Sequence, residues 1–320
     1  MSSKKLKSYL NQTWYIICFI LLLSFLSGIL LSTVYYVLSP FQERAAIFDR
    51  NKQMLTAAHV IDYSGRFQIY TEGEWKYAIY DKQSHVLKAV NAYPPAVTSS
   101  VLDAYSKNFV RPLLTDRKGQ IFSFEEKNMQ LSEFLDAQPQ GDLQKQSLLL
   151  FYVILSNTEQ ARTMTTEAII KNPLVVQAIV LPISGFGLWG PMYGYLSLKN
   201  DGNTVLGTAW YQQGETPGLG ANITNPQWQK QFYGKKVFLQ SSSGNTSLAT
   251  APLGLEVVKG SAEALYGTSP KVLSTIDGIS GATLTCNGVT EAYSQSLAPY
   301  RNLLLYFAKL HTQRDSYDNK

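Results

Sequence analysis

The chain has 320 residues, 45% of them hydrophobic and only 16% charged, with 20 Tyr and 14 Phe. The aromatic content excludes global disorder, and a charged share below the roughly 25% of soluble domains points to a segment kept out of water. The formal charge is +5, and three of the positive charges, Lys4, Lys5 and Lys7, precede the first acidic residue, Glu43; the near-neutral remainder lacks the basic stripe of a nucleic-acid binder, so no nucleic-acid partner is expected.

From Ser8 to Gln42 no side chain is charged, and Trp14 to Leu38 is a run of 25 mostly apolar residues. As a helix it would measure about 37 Å, enough to cross a hydrocarbon core of about 30 Å with some tilt. Trp14 and Tyr15 at one end and Tyr35 and Tyr36 at the other form the aromatic pairs expected at the two interfaces. The run is longer than the apolar core of a cleaved leader and has no small-residue cleavage pattern, so an uncleaved anchor is expected. Lys4, Lys5 and Lys7 place the N-terminus in the cytoplasm and the rest of the chain outside it. Glu43 to Ile61 reads as a helix leaving the membrane, and residues 63–90 as a hairpin or two strands. Residues 91–147, with Pro94-Pro95 and Gln138-Pro139-Gln140-Gly141, read as loops and short helices.

Leu148–Leu155 and Leu174–Ile183 are continuous apolar runs that predict buried strands. Tyr195–Leu198, Val205–Tyr211 and Val237–Gln240 are further strand candidates. From Gly288, apolar residues at Val289, Ala292, Tyr293, Leu297, Tyr300, Leu304 and Phe307 recur at spacings of three and four, predicting one long terminal helix. The expected fold class is α+β: one N-terminal transmembrane helix, then an extracytoplasmic antiparallel-sheet domain with flanking helices. The boundaries this reading draws are 1–12 for a cytoplasmic N-terminus, 13–38 for the transmembrane helix, 39–147 for a membrane-proximal α+β region, 148–310 for the main domain and 311–320 for a polar tail.

Three loops between these elements could carry chemistry. Gly185 to Gly190 fits the spacing of a dinucleotide loop, but Pro191 and another strand follow where that fold needs a helix. It reads as a tight inter-strand connection or as a loop beside a flavin. In Gly214-Glu215-Thr216-Pro217-Gly218-Leu219-Gly220, Pro217-Gly218 predicts a type II turn, either an ordinary one or one lying flat against a planar ring. In Asp277-Gly278-Ile279-Ser280-Gly281-Ala282-Thr283, small residues leave the Thr283 hydroxyl reachable where a helix is about to start near Leu284. That hydroxyl could hold a phosphate in the field of the helix end, or Ser280 or Thr283 could simply cap the helix. His59, His85 and His311 show no ligand spacing, two cysteines (Cys18 and Cys286) cannot build a disulfide framework or a cysteine-based zinc site, and no metal is expected.

Taken together and in this order, the three loops resemble the FMN-binding domain family that includes the C subunit of the sodium-translocating NADH:quinone oxidoreductases. The resemblance covers residues 174–300 and extends to the anchor and residues 43–60. It implies FMN held covalently, as a phosphoester of Thr283, with Asp277, Ser280, Gly281, Ala282, Thr285, Glu215, Thr216, Gly218, Leu219 and Gly220 around it. Thr216 would supply a hydrogen bond and Leu219 an apolar face. No residue is implied to be catalytic by itself. The implied role is that of an electron-carrying subunit in a bacterial inner-membrane complex, embedded in lipid, with its main domain periplasmic. There, electrons from NADH pass through FAD and the iron–sulfur membrane subunits to this FMN, then to a flavin on the B subunit and to ubiquinone, while Na⁺ is exported. A periplasmic flavin transferase with FAD as donor would attach the FMN. Two alternatives are the equivalent flavin subunit of the ferredoxin:NAD⁺ oxidoreductase and a non-redox membrane-tethered binding protein.

Overall fold

A computed structural model describes residues 13–137 and 146–318; Lys4, Lys5, Lys7 and the Gln138–Gly141 stretch lie outside the described residues. The chain divides into two compact units, one through Asp49 and one from Arg50 onward.

The anchor and the helix expected after it are one continuous helix, α1 (Thr13–Ala57), with Pro40 inside it. Among the described residues it is the one helix long and apolar enough to cross a membrane. Its side chains from Trp14 to Phe41 are exposed on every face, which suits lipid rather than a protein core. Two hydroxyls of the run are satisfied within the helix: Ser27 donates to the Leu23 carbonyl and Thr33 to that of Ile29, each at 2.8 Å.

The second unit is built on a six-stranded antiparallel sheet. Its strands are β4 (Val110–Asp116), β5 (Ile121–Phe122), β6 (Leu148–Leu155), β7 (Val176–Phe186), β8 (Pro191–Lys199) and β9 (Val205–Gln212), in the order β5-β4-β6-β7-β8-β9. β1 (Gln68–Thr71), β2 (Glu74–Tyr80) and β3 (Leu87–Ala89) form a separate meander of three strands, one more than the sequence suggests. The sequence also hides β4. Residues 110–116 pair with β6 over their full length, so this sheet draws strands from both sides of position 147. Pro112 masks the strand pattern, yet it lies beyond the two residues that pair with β5, where a missing donor costs the ladder little. Ahead of it α2 (Ser99–Phe109) buries Leu102, Tyr105 and Phe109 on one face.

Two further expectations are corrected. Val237–Gln240 is not a strand: Val237 donates to the Asn203 carbonyl and Leu239 to that of Pro252, so the segment alternates between neighbours and never forms a ladder. The terminal helix is two helices, α3 (Thr283–Leu297) and α4 (Arg301–Asp318), separated by a 3-10 turn at Ala298–Tyr300 because Pro299 cannot continue the α-helical bonding. A short parallel pair, β10 (Glu256–Val258) with β11 (Thr275–Asp277), precedes α3.

α3 lies on the sheet and is fixed there by side chains. Buried Tyr293 and Thr208 share a 2.7 Å hydroxyl contact, and Ser296 Oγ accepts from the Ser184 N–H and donates to the Ser184 carbonyl, both at 3.0 Å. Close approach needs small residues. A Cβ on Gly185 would stand 2.3 Å from the Ala292 Cβ, and one on Gly288 would stand 2.1 Å from the Phe186 carbonyl oxygen.

Just past the end of α1, His59 adopts a left-handed backbone (φ 58°) and stacks on Tyr233 with ring centroids 5.1 Å apart, while Trp75 meets it edge-on at 5.3 Å. Burial lowers its pKa from 6.5 to about 4, so the folded chain holds the ring neutral where the unfolded chain binds a proton. Stability is therefore complete above about pH 6.5 and declines as pH falls toward 4, by about 2–3 kcal/mol at the acid end. Melting temperatures measured from pH 7.5 to 4.5 are expected to fall more steeply for the native chain than for His59→Gln; parallel curves would contradict a buried neutral imidazole.

Candidate functional site

The three loops singled out by the sequence come together at the start of α3. The first is the hairpin joining β7 to β8, where the Gly187 N–H donates to the Gly190 carbonyl at 2.8 Å. The second is the predicted turn. Leu219 N donates to the Thr216 carbonyl at 3.1 Å, and Gly218 supplies the positive φ (77°) that a type II turn requires after Pro217. The third closes the same way: Ala282 N donates to the Ile279 carbonyl at 3.1 Å, with Gly281 at φ 77°. A Cβ on Gly281 would lie 2.9 Å from Leu219 Cδ2, so the second and third loops touch. Gly288 rests on Phe186 and Gly187, so the first loop touches the helix.

α3 begins at Thr283 itself, one residue before the expected start. Ala282 occupies the cap position and no side chain caps the helix, so neither Ser280 nor Thr283 does the capping that the plainer reading assigned to them. Thr283 is exposed, and its hydroxyl takes part in no hydrogen bond among the described residues. The helix therefore opens with unpaired N–H groups, a partial positive charge and a reachable hydroxyl on its first residue.

Large apolar side chains are exposed around it. Trp189 and Phe186 are each 69% accessible, and Leu188, Leu219 and Leu284 are exposed as well. Leu284 lies one turn before Gly288 on the same helix face, the face toward Phe186. These residues suit the cofactor that the resemblance implies: an attachment hydroxyl, an anion-favouring helix end, two turns bared by glycine and an apolar surface for a flat ring.

Other implied contacts are turned inward. Glu215 and Thr285 are 5% and 2% accessible and bond each other, Thr285 Oγ1 donating to Glu215 Oε2 at 2.5 Å. Asp277 serves the fold instead. Its Oδ1 accepts from the Ala262 N–H at 2.7 Å, its carbonyl from Trp228 Nε1 at 2.8 Å, and its N–H donates to Gln231 Oε1 at 3.0 Å. Thr216, Gly218 and Ser280 are exposed, whereas Gly220 and Ala282 are buried. Trp228 and Gln231, which hold Asp277 in place, carry no pattern that sequence reasoning could single out. Cys286 packs in the first turn of α3, where Ile279 N donates to its Sγ at 3.4 Å and burial pushes the thiol up. Among the described residues no group of three or more His, Cys, Asp and Glu could hold a metal. A cavity of about 620 Å³ lined by His59, Tyr63, Trp75 and Tyr233 contains none of the three loops.

Residues 187–298 match the model of the FMN-binding domain family, a span that takes in most of the first loop and all of the other two. Over all 320 residues the chain is 68% identical to the C subunit of the Na(+)-translocating NADH-quinone reductase of Chlamydia caviae, and the match covers the whole of both proteins. The chain belongs to this C-subunit family. The C subunit of the Chlamydia muridarum reductase is 58% identical, again over the full length of both. The crystal structure of the C subunit from Parabacteroides distasonis shares the fold, with a TM-score of 0.50, 24% identity, and coverage of 83% of this chain and 96% of that one. Membership in the family sets aside the ferredoxin:NAD⁺ and binding-protein alternatives and makes the chain a subunit of an oxidoreductase complex.

Proposed function

We propose that this chain carries FMN as a phosphoester of the Thr283 hydroxyl and relays electrons inside a membrane complex that oxidises NADH, reduces quinone and exports Na⁺. The observation that carries the reading is the exposed, unbonded Thr283 hydroxyl at the uncapped start of α3, in a chain of the C-subunit family. The N–H groups of the first helical turn would bind the phosphodiester, whose single negative charge suits the dipole there. Gly218 and Gly281 let backbone come close, and Trp189, Leu219 and Leu284 would shield one side of the ring from water. Bound FMN supplies the one- and two-electron carriage; the protein positions it. Attachment by a periplasmic flavin transferase, which would break the FAD pyrophosphate, pass FMN to the Thr283 oxygen and release AMP, fits an acceptor hydroxyl that lies open. The lysines before the anchor favour a cytoplasmic N-terminus and a periplasmic main domain at the bacterial inner membrane. The partners in this reading are the flavin-bearing B subunit, the iron–sulfur membrane subunits and the lipid around α1.

The test uses the complex isolated from membranes. On adding NADH, the flavin attached to this chain is expected to bleach and then recover when quinone is supplied, while the isolated loaded chain does not respond to NADH. An attached flavin that stays oxidised through turnover of the complex would overturn the relay.

A further inference from the structure

Glu215 is a carboxylate taken almost wholly out of water, and among the described residues no Lys, Arg or His forms an ion pair with it. Burying such a group is costly unless its oxygens are bonded. Both are. Oε1 accepts from the Trp189 N–H at 2.9 Å and Oε2 from the Thr285 hydroxyl at 2.5 Å. The Glu215 N–H in turn donates to Gln213 Oε1 at 2.5 Å, which fixes the start of its own loop. One side chain thus joins the hairpin that carries Trp189, the Pro217–Gly218 loop and the first turn of α3.

The glycines on either side show how closely the group is held. A Cβ on Gly187 would stand 2.4 Å from Oε1, and one on Gly220 would stand 2.6 Å from Oε2 and 2.5 Å from Thr285 Oγ1. Backbone therefore occupies the space through which a ligand would reach the carboxylate. Helical geometry supplies the consequence. Residues two apart on a helix point about 200° from each other, so drawing Thr285 inward sends Thr283 outward.

We infer that Glu215 is a positioning residue which joins the three loops before any cofactor arrives, setting the direction of Thr283 and the place of Trp189, and that Gly187 and Gly220 are glycine because its carboxylate lies between them. The role in loading rests on the proposed attachment at Thr283; the role as a clamp does not. Glu215→Gln keeps the clamp without the charge, since an amide oxygen can accept from Trp189 and an amide N–H can donate to the Thr285 oxygen. Glu215→Ala removes it.

The experiment uses the full chain, expressed with and without its flavin transferase, and two readouts. In the unloaded chain, hydrogen exchange at the Trp189 amide is expected to be protected in the native protein and in Glu215→Gln and fast in Glu215→Ala. In the loading reaction, the rate at which flavin mass appears on the chain is expected to stay near native in Glu215→Gln and Thr285→Ser and to fall by about tenfold or more in Glu215→Ala and Thr285→Val, as displacing a reacting group does. Circular dichroism identifies variants that have kept their fold. Unchanged Trp189 protection in folded Glu215→Ala, or native loading rates in both disrupted variants, would overturn the inference. Loss of Trp189 protection in Glu215→Ala, with no flavin on the native chain, would leave the clamp standing and remove the attachment reading.

Discussion

Thr283→Ala is expected to leave the chain folded and free of covalent flavin. The native hydroxyl is exposed, bonds to nothing among the described residues and caps nothing, so its removal takes away no contact that holds the fold. A surface change of that kind, in a first helical turn and toward a better helix former, is within about 0.5 kcal/mol of neutral. Its chemical effect is total, because alanine has no oxygen to esterify. Intact-mass measurement of the variant, made in cells that hold the flavin transferase, checks this: no increment for Thr283→Ala, an increment retained by Thr283→Ser. Quinone reduction by the assembled complex should then fail in the alanine variant although its NADH-oxidising subunits are intact. An alanine variant that keeps the full increment would move the attachment elsewhere.

Gly288→Ala should destabilise the fold, against the sign that helix propensity predicts. Alanine is better than glycine in a helix interior by about 1 kcal/mol. Here the added methyl would stand 2.1 Å from the Phe186 carbonyl oxygen and 3.3 Å from Gly187 Cα, both backbone atoms of the hairpin. Neither can rotate away as a side chain could, so α3 must lift from β7. The bonds from Ser296 to Ser184 and from Tyr293 to Thr208 share that interface. Overpacking of this kind outweighs the propensity gain, and a net loss of about 1–3 kcal/mol is expected from the shift in denaturant midpoint. The same displacement moves the first loop away from Thr283, so flavin loading should decline with it. A higher midpoint in Gly288→Ala would contradict the packing described for α3.

What the sequence makes legible follows from how each element is stabilised. β6 is an unbroken apolar run and β7 is interrupted before Ile183 only by Gln177, so composition announces both as buried strands, while β9 keeps enough apolar residues around Gly207 and Thr208 to stand out as a strand candidate. β4 carries Arg111 and Pro112 among its apolar residues and becomes a strand only because β6 lies beside it. The break at Pro299 interrupts a spacing that is otherwise helical from Val289 to Phe307, and periodicity does not register a single turn of tighter winding. Val237 and Phe238 are fully buried without a ladder, which apolar content cannot distinguish from a strand.

The candidate site divides along the same line. The turn at Pro217–Gly218 is local chemistry and is read correctly from the dipeptide, and the exposure of Thr283 agrees with the small residues that precede it. The bond between Glu215 and Thr285 joins residues 70 apart and exists only because the sheet brings them together, so no local pattern contains it. Asp277 carries the opposite lesson: it stands within the motif, yet its carboxylate serves the turn that begins at Ala262.

The proposed flavin ester falls on one oxygen, that of Thr283. Fragmentation mass spectrometry of the chain purified from membranes tests it most directly. The peptide spanning residues 277–290 should carry the mass of riboflavin 5′-phosphate less one water, with the fragment series placing it on Thr283. An unmodified peptide from a chain that still binds flavin, or an increment placed on Ser280 or Thr285, would contradict it.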